Sequence, residues 1–254
     1  MIGARSQAAV WDDVEHGGYG ADLELWAELA SERGPVLDLG CGAGRVALHL
    51  ARLGHEVWGL EHDPELTRAL RELAEAEGLE VRALEADART FAADARFGLV
   101  LAPMQFVHLF DAAGRGAVLG AVLSHLSSDG LFAAALLDVS GEGPDTWDEA
   151  EHVPLPDVRE RDGWVFSSLP LSVAADDCGF TVERLRQTVS PAGELTDERH
   201  LVHLDTLDAG GFESEARVAG FSPLERREIG ATDDHVGSTA VILRHADAEA
   251  NGAR

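Results

Sequence analysis

Lysine is absent from this chain of 254 residues, and cysteine is scarce. The two cysteines, Cys41 and Cys178, have a spacing that fits neither a disulfide framework nor a metal site. No apolar run has the length of a secretory signal or of a membrane span. We therefore expect a cytoplasmic protein that binds no metal and does not associate with a membrane.

Positive charge is scarce as well, because 20 basic residues face 46 acidic ones, for a formal net charge of −26. Such a surface repels phosphate backbones, so we expect no nucleic acid partner. A solvated acidic surface explains the excess charge. A specific cationic partner is the alternative.

The chain does contain a glycine-rich loop behind a short apolar run. Residues 36–39 predict a buried strand, glycines follow at positions 40, 42 and 44, and residues 46–53 have helical spacing. Glycines permit a sharp turn and a close approach to backbone N–H groups, and a helix N-terminus offers unpaired donors and a positive dipole end. The pattern predicts a nucleotide-type site at the end of the first strand of an α/β sheet.

Apolar runs alternate with helical patterns as far as residue 137 and predict a doubly wound parallel sheet. The predicted strands cover residues 36–39, 57–60, 79–84, 97–102 and 131–137. Residues 6–33 predict helices broken at residues 17–20, and residues 139–156 a loop. Three or four β-like stretches between residues 158 and 206 predict an antiparallel meander, followed by a helix over 207–220 and two last strands at the sheet edge.

Two further acids narrow the choice of ligand. A dinucleotide fingerprint would need a third glycine at position 45, which is Arg45, so a nicotinamide cofactor is disfavoured. Glu61 closes the second strand, 21 residues after Gly40, where a carboxylate can accept both ribose hydroxyls. Asp87 follows the third strand, where it can accept an adenine amino group. With Asp38, acids at three successive strand ends predict an adenosine-containing ligand.

These motifs resemble those of the class I S-adenosylmethionine-dependent methyltransferases. The segments that carry the resemblance are VLDLGCGAGR (36–45), HEVWGLEHDPEL (55–66), EADARTF (85–91) and FGLVLAPMQFVHLF (97–110). The resemblance implies a Rossmann-like seven-stranded sheet whose last strand is antiparallel, with S-adenosyl-L-methionine as the cofactor. The predicted meander after strand five is more loosely similar to that of glycine and amino-sugar N-methyltransferases.

The resemblance also implies which residues contact the cofactor. Asp38 and the glycine loop would hold the methionine portion, and Glu61 the ribose hydroxyls, with His62 packed beside the adenosine. Asp87 and the Ala88 N–H would bind the adenine edge, and the residues after strand four would line the methyl side. The full set is Asp38, Gly40, Cys41, Gly42, Gly44, Glu61, His62, Asp87, Ala88, Ala102 and Met104.

The catalytic and substrate residues are less well marked. His108 follows strand four near the expected methyl position, and Tyr19 lies in the glycine-rich break of the N-terminal segment, so both are candidate catalytic residues. Gln105, His108 and Trp164 are candidate substrate contacts. Each also has a structural interpretation, as a packed side chain or an ordinary amphipathic one.

We expect one domain, made of an N-terminal helical lid (1–33), a cofactor-binding core (34–138), a loop and β-meander (139–206) and a last helix with edge strands (207–254). The predicted activity is methyl transfer to nitrogen or oxygen of a small molecule by in-line displacement. The alternatives are another adenosine-cofactor transfer, such as aminopropyl transfer, and a non-catalytic cofactor-binding partner protein. Exposed strand edges in the meander would also permit a homodimer.

Overall fold

The computed structural model describes residues 6–137, 155–232 and 235–246. Its helices are α1 (Gln7–Glu15), α2 (Leu23–Ala30), α3 (Arg45–Arg52), α4 (Pro64–Glu77), α5 (Ala112–His125) and α6 (Ala209–Ala219), with a 3-10 helix at Phe106–Leu109. Its strands are β1 (Val36–Leu39), β2 (Val57–Glu61), β3 (Val81–Glu85), β4 (Phe97–Ala102), β5 (Leu126–Leu137), β6 (Asp157–Arg161), β7 (Trp164–Ala175), β8 (Gly179–Val189), β9 (Leu195–Asp205), β10 (Phe221–Ile229) and β11 (Ser238–His245).

The helix ends follow local capping chemistry. The Asp63 carboxylate accepts the N–H of Glu65 at 2.7 Å, and Pro64 occupies the first turn of α4, where a missing N–H costs nothing. The same helix ends at Gly78 in a left-handed conformation. These signals were visible in the sequence, and the bounds of α4 agree with them.

The main sheet has seven strands in the order β10-β11-β5-β4-β1-β2-β3. Strand β11 runs antiparallel to both of its neighbours, while β1 to β5 pair in parallel. This arrangement confirms the Rossmann-like sheet with a reversed last strand. It corrects one detail, because β11 lies inside the sheet and only β10 forms that edge. The reason is composition, since residues 240–243 of β11 are apolar and fully buried.

The meander forms a separate four-stranded antiparallel sheet in chain order, β6-β7-β8-β9. Asp162 and Gly163 both have positive φ angles, as a tight turn between β6 and β7 requires. This confirms the predicted antiparallel insertion. Of the loop predicted over residues 139–156, only residues 155 and 156 lie within the described chain, and they have no regular structure.

Strand β5 begins at Leu126, five residues earlier than expected, because helix α5 passes directly into it and Leu126 pairs with Phe97. Two apolar clusters cover the main sheet. A third cluster joins α1 to β7 and contains Val10, Trp11, Val14, Phe166 and Trp164. Helix α1 is thereby fixed against the second sheet, which sets its position at the functional site.

Candidate cofactor and substrate site

The glycine loop follows β1 in a conformation that requires glycine. Gly40 and Gly42 have φ angles of +63° and +56°, which L side chains rarely adopt. A Cβ on Gly40 would lie 2.3 Å from the Phe106 ring, and one on Gly42 would lie 2.7 Å from the Asp12 carboxylate. The loop therefore keeps its backbone bare and in direct contact with two other elements.

Glu61, the last residue of β2, is tied to this loop. Its Oε2 accepts the N–H of Gly42 at 3.1 Å, and its Oε1 accepts the N–H groups of His62 at 2.8 Å and Asp63 at 2.9 Å. The side chain is buried, whereas His62 is exposed, with its Nδ1 lying 2.9 Å from Glu61 Oε1. Because three N–H groups orient the carboxylate, it is held at the strand end where a ribose ligand is expected.

Asp38 is the most unusual group at the site. It is 1% exposed, and neither of its carboxylate oxygens has a hydrogen-bond partner among the described residues. Burial raises the pKa of Asp38 to about 7, although the charge of Arg45 and the nearby backbone N–H of Ala47, which does not reach hydrogen-bond geometry, lower it in part. A buried carboxyl without a partner is costly, so it fits a site where a ligand supplies a cation or a donor.

Cys41 lies beside these acids and behaves as a packing residue. Burial raises the pKa of its thiol well above the usual range, and the charges of Asp38, Glu61 and Asp12 raise it further. The thiol is therefore no nucleophile at neutral pH. The same interactions show that three carboxylates from three different elements act on one loop.

Arg45 stands where a dinucleotide loop would have its third glycine, and it fixes the N-terminal segment. Its guanidinium donates to both oxygens of Asp22, at 2.6 and 2.8 Å, and to the Tyr19 carbonyl at 3.1 Å. The Tyr19 ring lies 5.1 Å below the guanidinium and 4.7 Å from the His235 ring. Burial raises the pKa of the Tyr19 hydroxyl, which hydrogen-bonds Ser238 at the start of β11. Tyr19 is thus buried at the carboxyl-end side of the sheet.

Helix α1 lies over the glycine loop and contacts it through Asp12. This contact was not predicted from the sequence. The Oδ2 atom of Asp12 accepts the N–H of Ala43 at 2.9 Å, and its Oδ1 lies 3.2 Å from His16 Nδ1. The contact spans 31 positions in the sequence. The available signal was that Asp12 and Glu15 share one face of an amphipathic helix.

Helix α1 is also bound to the second sheet. Glu15 accepts two hydrogen bonds from Arg186, at 2.8 and 2.7 Å, and one from the Ser168 hydroxyl at 2.7 Å. Burial raises the pKa of Glu15, but these hydrogen bonds outweigh burial and leave it lowered. Trp11 packs edge-on against Phe166, with ring centroids 5.7 Å apart. Trp164, a predicted substrate contact, belongs to this apolar cluster.

Asp87 lies two residues beyond the end of β3, the strand that the sequence indicated it would follow. Arg89 binds its carboxylate through both side-chain and backbone N–H groups and lowers the pKa of Asp87 to about 2. The carboxylate is therefore ionised throughout the physiological range. Ala88, the next residue, is buried.

The segment after β4 faces the glycine loop. Ala102 is buried, and Met104 adopts a left-handed conformation with a φ of +54°, which a non-glycine residue adopts at a cost. Met104 and Gln105 are half-buried. The Phe106 ring covers Gly40, a contact that the sequence analysis missed although Phe106 lies in the apolar run it identified.

His108, a candidate base and substrate contact, occupies a structural position in this arrangement. The residue is 1% exposed, its Nε2 accepts the N–H of Leu137 at 3.1 Å, and its Nδ1 lies 2.9 Å from the Asp205 carbonyl. The first contact makes Nε2 an acceptor, so Nδ1 carries the proton and donates it. Burial lowers the pKa of His108, which keeps the ring neutral. Both nitrogens are occupied, so neither can take a substrate proton in this arrangement.

The described part of the chain contains neither a candidate metal site nor a candidate membrane-spanning helix. Its residues include no group of three or more His, Cys, Asp or Glu side chains arranged to hold a metal ion. None of the helices described in 6–137, 155–232 and 235–246 is long and apolar enough to cross a membrane.

Comparison with known proteins locates the relatedness in the first half of the chain. Residues 36–130 match the family model described as a methyltransferase domain. The demethylmenaquinone methyltransferase of Thermus thermophilus is 46% identical over 78 residues, which are 28% of this chain and 35% of that protein. An uncharacterized RNA methyltransferase of Parasynechococcus marenigrum is 42% identical over 62 residues, 24% of this chain and 13% of that protein. The matches thus span about a third or less of these curated relatives.

Solved structures share the fold over nearly the whole chain. The sugar N-methyltransferase KedS8 from Streptoalloteichus has a TM-score of 0.69 at 18% identity, covering 93% of this chain and 92% of that one. The amino pentose methyltransferase CalS10 from Micromonospora echinaspora, solved with S-adenosylmethionine bound, has a TM-score of 0.64 at 19% identity, covering 91% and 96%. At these identities the likeness establishes the fold.

The domain match and the fold agree with the chemistry of the loop, in which an unpaired buried Asp38 lies beside a bare glycine backbone. Residues 36–130 therefore form a methyltransferase domain, and the described chain has the fold of S-adenosylmethionine-dependent methyltransferases.

Proposed function

We propose that this chain transfers the methyl group of S-adenosylmethionine to a nitrogen atom of a small-molecule acceptor, with oxygen as the less favoured alternative. The observation that carries the proposal is the convergence of the bare glycine loop, the unpaired Asp38 and the oriented Glu61 at adjacent strand ends. The names of KedS8 and CalS10, which act on a sugar and an amino pentose, support an amine acceptor.

The residues present fit the cofactor. Asp38 offers its unpaired oxygens to the methionyl ammonium, and Glu61 offers its oxygens to the ribose hydroxyls. Asp87 and the Ala88 N–H suit the two sides of an adenine edge. The apolar surface of Phe106 and Met104 would face the methyl group. His62 is exposed in this structure, so we propose it as a flexible cover beside the adenosine.

The bound cofactor supplies an activated methyl group on a sulfonium, so the protein has to align the acceptor and exclude water. Helix α1 and the second sheet would cover the site, and so help to align the acceptor and exclude water. Glu15 and Trp11 hold the helix against β7 and β8. Gln105 and Trp164 remain our candidates for contacting the acceptor, and Tyr19 for closing the N-terminal side.

The position of His108 supports nitrogen over oxygen. With both ring nitrogens occupied, this residue has no free site to accept a proton from a hydroxyl. An amine attacks in its neutral form and needs no dedicated base at the moment of methyl transfer, whereas a hydroxyl benefits from one. An amine is therefore the acceptor that can react without a general base from the protein.

Two other acceptor classes have specific counterarguments. The curated RNA methyltransferases match only 24% and 22% of this chain, and a net charge of −26 disfavours RNA. Aminopropyl transfer would call for acids that bind a polyamine, but Pro103 and Met104 stand beside the expected methyl position. A homodimer through the open edges of β6 and β9 stays a prediction that analytical ultracentrifugation can check.

Calorimetric titration with S-adenosylmethionine and S-adenosylhomocysteine tests the site. We expect Glu61→Ala to weaken both ligands at least about tenfold, because two hydrogen bonds to a charged group are lost. The control is Glu72→Ala, at an exposed position of α4. The site is refuted if the wild type binds neither ligand or if Glu61→Ala binds them as the wild type does.

A second experiment tests the acceptor. Purified protein is incubated with radiolabelled cofactor and matched panels of amines, amino sugars, alcohols and phenols, and labelled products are counted. Labelling of amines supports the proposal. Labelling of hydroxyl compounds alone would reassign the acceptor to oxygen, and cofactor binding without any labelled product would favour a non-catalytic partner protein.

A further inference from the structure

Two successive N–H groups of the glycine loop are bound by carboxylates from outside the loop. Gly42 donates to Glu61 of β2 at 3.1 Å, and Ala43 donates to Asp12 of α1 at 2.9 Å. Asp38 of β1, just before the loop, is buried and has no hydrogen-bond partner for either oxygen. Carboxylates from three elements therefore surround one loop, and one of them is unpaired.

The nearby cations do little to cancel this charge. Arg45 is held by both oxygens of Asp22, and Arg186 by both oxygens of Glu15. The side chain of His16, beside Asp12, is 45% exposed to water. His62, beside Glu61, is exposed as well, so solvent screens both histidines. The immediate surroundings of the loop are negative even when Arg45 is counted.

Resting on the proposed function, we infer that Asp12 is a specificity-determining residue that makes the site prefer cationic S-adenosylmethionine to its neutral product. The cofactor carries a carboxylate, an ammonium and a sulfonium, for a net charge of +1. When the acceptor's lone pair takes the methyl group, the carbon–sulfur bond breaks and its electrons stay on sulfur as a neutral thioether. The product has a net charge of zero, so the acids around the loop attract it less than they attract the cofactor.

Asp12 is the acid best suited to this role. Glu61 is committed to three backbone N–H groups, and Asp38 belongs to the strand end itself. Asp12 instead reaches the loop from α1, which ion pairs and the Trp11–Phe166 contact hold in place. Its side chain is 19% exposed, so water screens its charge only weakly. The charge lost from sulfur in each turnover thereby assists release of the product.

The test is a pair of affinities measured for each variant. Asp12→Asn keeps an oxygen for the Ala43 N–H and removes the charge. We expect the Kd of S-adenosylmethionine to rise about fivefold and that of S-adenosylhomocysteine to change by less than about twofold, by calorimetry at low salt. Asp12→Glu, which keeps the charge, should retain the wild-type ratio of the two Kd values.

Asp13→Asn is the matched control, because it removes the same charge from the neighbouring position of α1, where Asp13 binds Arg161. We expect it to leave the ratio unchanged. An unchanged ratio in Asp12→Asn, an equal loss for both ligands, or the same shift in Asp13→Asn would each overturn the inference. If the wild type bound neither ligand, the proposed function itself would fail, and that result is distinguishable from these.

Discussion

At the scale of single residues, Asp38 shows how a buried carboxyl costs stability. Its carboxyl is buried without a hydrogen-bond partner among the described residues, and burial raises its pKa to about 7. A normal aspartate in the unfolded chain has a pKa of about 3.9. The folded protein therefore binds the proton more tightly than the unfolded chain does between these two values.

This difference predicts a pH dependence of stability. A raised folded pKa gives stability that is fully present below about pH 4 and is lost as the pH rises towards 7. In chemical denaturation, we expect Asp38→Asn to raise the free energy of unfolding relative to the wild type. This stabilisation should be about 2 kcal/mol larger at pH 8 than at pH 5. The exposed Asp94 provides the control variant Asp94→Asn, which should follow the wild type.

We expect Asp38→Asn to bind S-adenosylmethionine more weakly than the wild type does, because Asn has no charge to pair with the methionyl ammonium. A parallel pH dependence in Asp38→Asn and the wild type would show that the carboxyl is not the unpaired group that its surroundings indicate.

At the scale of elements, α1 is the part that connects the glycine loop to the second sheet. Asp12 contacts the loop, and Glu15, about one turn further along the helix, binds Arg186 and Ser168. The Gly17–Gly20 break separates α1 from α2, so this attachment depends on the side-chain contacts of α1 itself.

Removing the Glu15 charge tests that attachment. Glu15→Gln leaves Arg186 without its carboxylate in a largely buried setting, so we expect α1 to lose about 2 kcal/mol of protection against local opening. Hydrogen exchange of the α1 amides measures this loss directly. Glu160→Gln, an exposed position on β6, serves as control, and unchanged exchange in Glu15→Gln would show that apolar contacts alone hold the helix.

The elements and the positions of the acids at the strand ends were predictable, because the patterns that encode them are local. Residues that are neighbours in the chain encode the strands, the helix caps and the acids at strand ends. Asp38, Glu61 and Asp87 therefore lie at or near the strand ends to which the sequence assigned them. The contacts of Asp12 and His108 were not predictable. They join residues 31 and 97 positions apart, and no local pattern states which side chain will cover a loop or accept a distant N–H.

At the scale of the whole molecule, the net charge of −26 opposes compactness. Arginine supplies every basic side chain, and many of these are paired with carboxylates, such as Arg52 with Glu77 and Arg227 with Glu28. The 46 acids outnumber the 20 bases, so repulsion among the remaining carboxylates outweighs what these surface pairs contribute.

Screening this repulsion should stabilise the protein. We expect the thermal midpoint to rise by several degrees between about 0.05 and 0.5 M sodium chloride, because the Debye length falls well below the spacing of surface charges. Sorbitol at matched osmolality is the control for effects unrelated to charge. A midpoint that falls with salt would show that attractive ion pairs dominate instead.

The position of β11 has a consequence for synthesis. This strand joins β10 to β5, yet residues 238–245 follow all the other strands of the sheet in the chain. Until they have left the ribosome, β5 has an open edge and β10 has no partner in the sheet. The last step in building this sheet therefore waits for translation of β11, and a nascent chain that stalls earlier displays an apolar edge to chaperones and proteases.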